Sequence, residues 1–236
     1  MSHYFHNTVP YLSSLAIAES AGFGLDLPLV VNDDLAPFQV EQLELLGYSE
    51  DRLIRLSADS PASFAQLTVP TRLARGGRWM DPLISRWYRQ RLVRARRSAG
   101  QPTRLYVRAG ASSRRILANE GNVIQVLSAQ GYHVVESDGL SAREQIDLFA
   151  EATRIVAQAD AARTNMVFAP AGALVAILQN RHVAEGGGDV HFHALAQACG
   201  HRYLHLPCAA HSVHEGQRLI DADMWADIDA MRAVDL

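Results

Sequence analysis

From residue 103 onward the chain alternates short apolar runs with stretches of helical spacing, and this alternation constrains the fold more than any other feature. Leu105-Tyr106-Val107, Tyr132-His133-Val134-Val135, Ile155-Val156-Ala157 and residues 173–178 and 203–206 read as strands. Helices are expected between them over residues 114–129, 141–152, 164–168 and 192–199, with a closing helix over 223–231. Ser141 and Glu144 stand at capping-box spacing. Strands alternating with helices predict an α/β fold with a mainly parallel, doubly wound sheet. Ligands of such sheets sit beyond the carboxyl ends of the strands. That rule points to the loops after Val107, Val135, Ala157 and Leu178.

The first part of the chain is less regular. A helix is expected from His6 to Ala21, broken by Gly22 and Gly24, followed by a strand at Leu29-Val30-Val31 and a helix from Phe38 to Leu46. Residues 53–56 and 66–69 are strand-like. Asp81-Pro82 opens an Arg-rich helix expected to run to Arg97, with Leu83, Trp87, Leu92 and Val93 forming one apolar stripe. The stretch Ser98-Ala99-Gly100-Gln101-Pro102 is the best linker candidate, which divides the chain into residues 1–98 and 99–236.

With 236 residues, 48% hydrophobic and 20% charged, the chain has the composition of a globular protein. Cys199 and Cys208 are too few for a disulfide framework and carry no Cys-x-x-Cys spacing. No apolar run reaches the roughly 18 residues of a membrane span, and the N-terminus lacks the pattern of a signal peptide. A cytoplasmic protein is expected. The net charge of −3 hides an asymmetry. All 22 basic residues are arginine, and thirteen of them lie between Arg72 and Arg115, where Asp81 is the sole acid. That segment carries +12 and the remainder −15. No nucleic-acid-binding signature accompanies it, so nucleic acid is not an expected partner. The arginines of residues 72–97 suit a solvated helix face, peripheral contact with an anionic membrane, or a pyrophosphate-bearing substrate.

Three constellations bear on chemistry. In the first, the strand ending at Arg108 leads through a small-residue loop to Arg114 and Arg115, then Asn119 and Glu120. Guanidinium forks beside free N–H groups at a helix start make a phosphate site; the alternative is a solvated first turn with arginine paired to Glu120. In the second, Asp160, Arg163, Thr164 and Asn165 follow a strand at the start of a short helix, where Thr164 or Asn165 would serve as a cap. In the third, seven of the ten histidines fall in the last quarter near both cysteines, which raises a metal site, although no spacing matches a zinc module.

These stretches resemble glycosyltransferase family 61. The resemblance is carried by Tyr106-Val107-Arg108, Arg114-Arg115-Ile116-Leu117-Ala118-Asn119-Glu120, Gly131-Tyr132, Glu144-Gln145 with Phe149, residues 155–168 including Thr164-Asn165-Met166, and Pro170-Ala171-Gly172-Ala173. A fainter likeness covers Tyr4-Phe5-His6 and residues 38–47. The resemblance implies a GT-B-like architecture of two Rossmann-type halves: an acceptor side over 1–98 and a nucleotide-sugar-binding half over 99–236. It implies inverting transfer of a sugar from a nucleotide-sugar donor to a glycan or lipid-linked glycan acceptor in bacterial surface or capsular polysaccharide synthesis. No essential metal or other cofactor is implied. Donor contacts would come from Arg108, Arg114, Arg115, Asn119, Glu120, Asp160, Thr164 and Asn165, and the catalytic base would be His6. The chain departs from the family pattern at Ala159-Asp160, where the family has His-Gly, at Arg163, and at Ala176, where it has Glu. These departures favour an alternative, a catalytically degenerate member that acts as a binding or scaffold protein. The chain is also short for a full GT-B enzyme, so an N-terminal portion is expected to be missing or trimmed.

Overall fold

The computed structural model describes residues 4–76, 78–95, 99–110, 113, 115–185, 190–213, 218–233 and 236. The chain first forms a parallel pair, β1 (Leu29–Asn32) and β2 (Leu53–Leu56), and a small hairpin, β3 (Ala74–Arg75) and β4 (Trp79–Met80). The main sheet follows, built from β5 (Arg104–Val107), β6 (His133–Val135), β7 (Arg154–Gln158), β8 (Leu174–Asn180), β9 (Arg202–Ala210) and β10 (Met224–Trp225). Its spatial order is β6-β5-β7-β8-β9-β10, parallel throughout except for the antiparallel edge pair of β9 and β10. Mixed α/β with a mainly parallel sheet is the class that the strand–helix alternation predicts.

Side chains alternate across each strand, and the two faces carry separate apolar clusters. Tyr106, Val156, Ala176 and Leu178 pack under helix Glu120–Ala129 and the closing helix Ile228–Ala233 through Val123, Leu127 and Met231. Leu105, Val107, Ile155, Ala157, Val175 and Ile177 face the other way. They meet helices Ala142–Phe149 and Val190–Ala198, the 3₁₀ turns of Ala161–Phe168, and the N-terminal part of the chain. That part shares one continuous core with the sheet. Tyr88 is fully buried, donates from its hydroxyl to the Thr8 carbonyl at 2.7 Å, and meets the Phe168 ring edge-on at 5.5 Å. Arg89 donates to the Phe168 carbonyl at 2.6 Å. Each large side chain sealed there contributes about 2 kcal/mol of transfer free energy.

Local signals account for most elements. Ser141 and Glu144 form the expected capping box, the Ser141 hydroxyl accepting from the Glu144 N–H at 3.2 Å and Glu144 from the Ser141 N–H at 2.8 Å. The helical run over residues 4–20 widens into a π turn at Asn7–Tyr11, where Pro10 removes an N–H from the ladder.

Three expectations are corrected. Residues 66–69 are irregular, because no neighbouring strand offers them a ladder. The helix expected over 114–129 begins at Glu120. Ahead of it, backbone pairing wins: Met224 donates to Ile116 at 2.7 Å and Ala118 to Met224 at 2.8 Å. For the same reason the closing helix starts at Ile228, since Met224 and Trp225 are drawn into the sheet edge. The Arg-rich helix is described as Leu83–Tyr88 continued by a π turn to Val93, and residues 96–98 lie outside the described residues. No helix among the described residues is long and apolar enough to cross a membrane.

Candidate active site

Counted within the main sheet, the parallel strands run 2-1-3-4-5, and the order reverses between β5 and β7. After β5 the chain leads to helix Glu120–Ala129 on one face, and after β7 to the 3₁₀ turns on the other. Strands whose connections part in this way leave a crevice at their carboxyl ends, the usual ligand position of an open α/β sheet. The residues there are Glu136 after β6, Arg108 after β5, Gln158 ending β7, and Asp160 just beyond.

Glu120 organises this crevice. Its carboxylate accepts from Arg108 Nη2 at 2.7 Å and Nε at 3.1 Å, from the Tyr106 hydroxyl at 3.0 Å and from Gln158 Nε2 at 2.6 Å. Arg108 also donates through Nη1 to the exposed carboxylate of Glu136. The bidentate fork and two flanking neutral donors fix the guanidinium plane. The Glu120 bond raises the affinity of Arg108 for its proton further, and burial with Glu120 pushes the Tyr106 phenol well up. Arg108 is therefore a permanently charged, positioned group, one side of which is held by an exchangeable surface ion pair.

Arg115 differs. It is half-buried in the irregular stretch before helix Glu120–Ala129, and its Nη2 makes a long bond, 3.4 Å, to the Ala159 carbonyl at the far side of the crevice. Among the described residues no carboxylate pairs with it. Gly110 lets the loop after β5 pass close to Asp138, since a Cβ there would lie 2.5 Å from both of its carboxylate oxygens. Among the described residues the rim carries Arg108 and Arg115 beside Glu120, Glu136, Asp138 and Asp160. Of these, Arg115 and the outer edge of Arg108 are the groups that can meet an entering anion.

The remaining expected site residues divide by location. Asp160 caps the 3₁₀ turns, its carboxylate accepting from the Ala162 N–H at 3.2 Å. It takes the capping position in place of Thr164 or Asn165, which are both fully buried. The Thr164 hydroxyl has no hydrogen-bond partner among the described residues. Asn165 donates to Gln145 at 2.7 Å and accepts from the Tyr4 hydroxyl at 2.6 Å, tying the N-terminal helix to the sheet layer. Asn119 is buried and exchanges two bonds with the Ala226 backbone, which pins the C-terminal segment. His6 is exposed, its ring 5.5 Å from that of Phe5, which also packs on Phe192 at 4.9 Å. Arg163 stacks on the other contact of that ring, 3.6 Å over Phe192. Arg114 lies outside the described residues.

Sequence reasoning missed Tyr106, Gln158 and Glu136. A legible signal existed in Gln158, a buried amide closing an apolar strand, which must find a polar partner. Four of the C-terminal histidines have separate engagements. His193 meets the Tyr203 ring edge-on, His211 lies tilted against Trp225, His205 bonds Gln179 at 2.8 Å, and His201 bonds the Met166 carbonyl at 2.9 Å; His214 lies outside the described residues. Among the described residues no three His, Cys, Asp or Glu side chains gather as a metal-ligand set.

The model of a family described as Glycosyltransferase 61 matches residues 1–176, which span the N-terminal part, the whole crevice and the strands through most of the first half of β8. No characterised protein matches the chain.

Proposed function

Because that match covers most of its length, this chain belongs to glycosyltransferase family 61, and we propose that it transfers a sugar from a nucleotide-sugar donor to a glycan or lipid-linked glycan acceptor. The observation that carries this reading is Arg115: a half-buried cation at the crevice where the strand order reverses, with no carboxylate partner among the described residues. In the proposed reaction the departing diphosphate is met by Arg115 and by the outer edge of Arg108, which trades Glu136 for phosphate. Preformed cations at the point where charge develops lower the barrier without reorganisation. Transfer is inverting, with side-chain cations in the role a divalent ion plays elsewhere, and His6 takes the acceptor proton from the opposite side. The acceptor side would be residues 1–98 of a GT-B-like pair of halves and the donor side residues 99–236. The setting is bacterial surface or capsular polysaccharide assembly on the cytoplasmic side of the membrane, with the arginines of residues 72–97 in peripheral contact.

Incubation with a panel of nucleotide sugars tests this. Nucleotide release is expected for at least one donor, with Arg115→Ala lowering the rate roughly a hundredfold and leaving the melting temperature unchanged. Absence of both release and binding across the panel would refute it.

A second reading, a degenerate member that binds without catalysis, is favoured by the commitment of Arg108 to Glu120 and Glu136. Calorimetry separates the two: micromolar binding of a nucleoside diphosphate supports the enzyme, and silence supports the binding protein.

A further inference from the structure

A cavity of about 660 Å³ lies in the N-terminal part of the chain, and none of the residues lining it is charged. Its walls come from the helical run over residues 4–20, from β1, from helix Pro37–Leu45 and from the irregular stretch 64–70. Tyr11, Leu15, Ala18, Phe64, Leu67 and Val69 give it an apolar surface. The volume is that of a small-molecule site. Two of the amides in the wall, Asn7 and Gln39, are already engaged: Gln39 donates to Asn7 at 2.8 Å, Asn7 to Gln42 at 2.8 Å, and the Ala36 N–H to Gln39 at 2.9 Å. A sugar or nucleotide entering here would lose hydration with little returned, whereas a hydrocarbon chain gains from the transfer.

The mouth has a different character. Tyr11, Leu27, Leu67 and Val69 are lining residues that are also exposed, Val69 by 76%, so large apolar side chains crowd one patch of surface. The guanidinium of Arg72 lies 4.5 Å above the Tyr11 ring. Three residues further on, the hairpin of β3 and β4 carries Arg75, Arg78 and the half-exposed Trp79, and no acid occurs from Thr71 to Met80. An arginine over an exposed tyrosine ring, beside exposed aliphatic residues, suits the boundary between headgroups and hydrocarbon.

We infer that this cavity holds the hydrocarbon chain of a membrane lipid phosphate, whose headgroup is met by Arg72 and the hairpin arginines. The charge complementarity selects an anionic head, and the uncharged wall selects the tail. The inference goes beyond the transferase reading, because binding at this site requires no donor and no turnover. Where both hold, a lipid-linked acceptor would be anchored on the N-terminal side.

Titration calorimetry of the full chain with farnesyl phosphate, farnesol and inorganic phosphate tests it. Farnesyl phosphate is expected to bind in the micromolar range, one per chain, and inorganic phosphate to give no heat. Arg72→Glu should weaken farnesyl phosphate about tenfold while leaving farnesol unchanged. Ala18→Trp, which fills the cavity, should abolish both. Should Ala18→Trp fail to fold, Leu27→Asp at the partly exposed mouth is expected to weaken both tails at least tenfold. Equal binding of inorganic phosphate, no binding of farnesyl phosphate, or tail binding that survives the cavity variants would overturn the inference. So would a solution dimer that Leu27→Asp converts to monomer, since the occupant would then be a second copy of the chain. Nucleotide release measured without lipid reports on the transferase reading separately, so the two stand or fall independently.

Discussion

At the carboxyl ends of β6, β5 and β7 ionised side chains crowd one rim, and each of Arg108, Glu120 and Glu136 is held by a partner of opposite charge. The N-terminal cavity has not one charged residue in its walls. The N-terminal residues and one face of the main sheet share an apolar cluster, so the contrast holds between regions that are packed together. It comes from where each backbone ends. Strand ends bring unrelated loops together and can support charge with opposing charge, while the helices beside β1 present apolar side chains and neutral amides that bond one another. The lesson is that charge at the rim is affordable only as a network, and that a cavity without one can discriminate only by hydrophobicity and shape.

The sharpest way to break the contrast is to place a charge in the uncharged region. Leu15→Asp, buried in the cavity wall, is expected to cost about 4 kcal/mol, read as a fall in the denaturant midpoint; a loss under about 1 kcal/mol would mean that the cavity is wet. Next comes the rim. Glu120→Ala removes the acceptor of four hydrogen bonds and should destabilise by about 3 kcal/mol, whereas a Gln replacement should recover part of this. Indifference to both changes would show that the network is not what fixes Arg108. Third, Asn165→Ala cuts the bonds to Tyr4 and Gln145 that join the N-terminal part to the sheet layer. A cost of about 2 kcal/mol is expected, and unfolding that became two-step would sharpen the comparison by separating the regions.

The smallest effect is a pH dependence. Burial lowers the affinity of the His201 imidazole for protons below its ordinary value of 6.5. The unfolded chain then binds the extra proton, so stability is complete above about 6.5 and declines as the pH falls below that value. His201→Gln keeps a donor for the Met166 carbonyl and should flatten the change in melting temperature between neutral and mildly acidic buffer. An unaltered slope would assign the acid sensitivity to carboxylates instead.

How much of this was legible beforehand depends on the range over which each feature is decided. β5, β7 and β8 announce themselves because a central parallel strand must be apolar on both faces, and Ser141 with Glu144 announces its helix because capping is settled within four residues. The start of helix Glu120–Ala129 was misread because residues 116–118 are claimed by Met224, more than a hundred positions away. An arginine paired to Glu120 was legible as an alternative, but that it is Arg108, locked by the hydroxyl of Tyr106 and the amide of Gln158, was not. Thr164 and Asn165 looked like surface caps because a cap is what their spacing allows locally; their burial follows from the N-terminal helix lying over them.

By itself the amino-acid sequence determined the class of fold, the alternation of strands β5 to β9 with helices in the second part of the chain, and the clustering of arginine, since these depend on periodicity and composition. Only the tertiary structure decided which arginine is committed and which is not, and that a chain with so polar a rim also encloses an uncharged cavity. Both are properties of residues distant in the chain and adjacent in space, where hydrogen-bond partners and excluded water are settled by packing rather than by neighbouring positions.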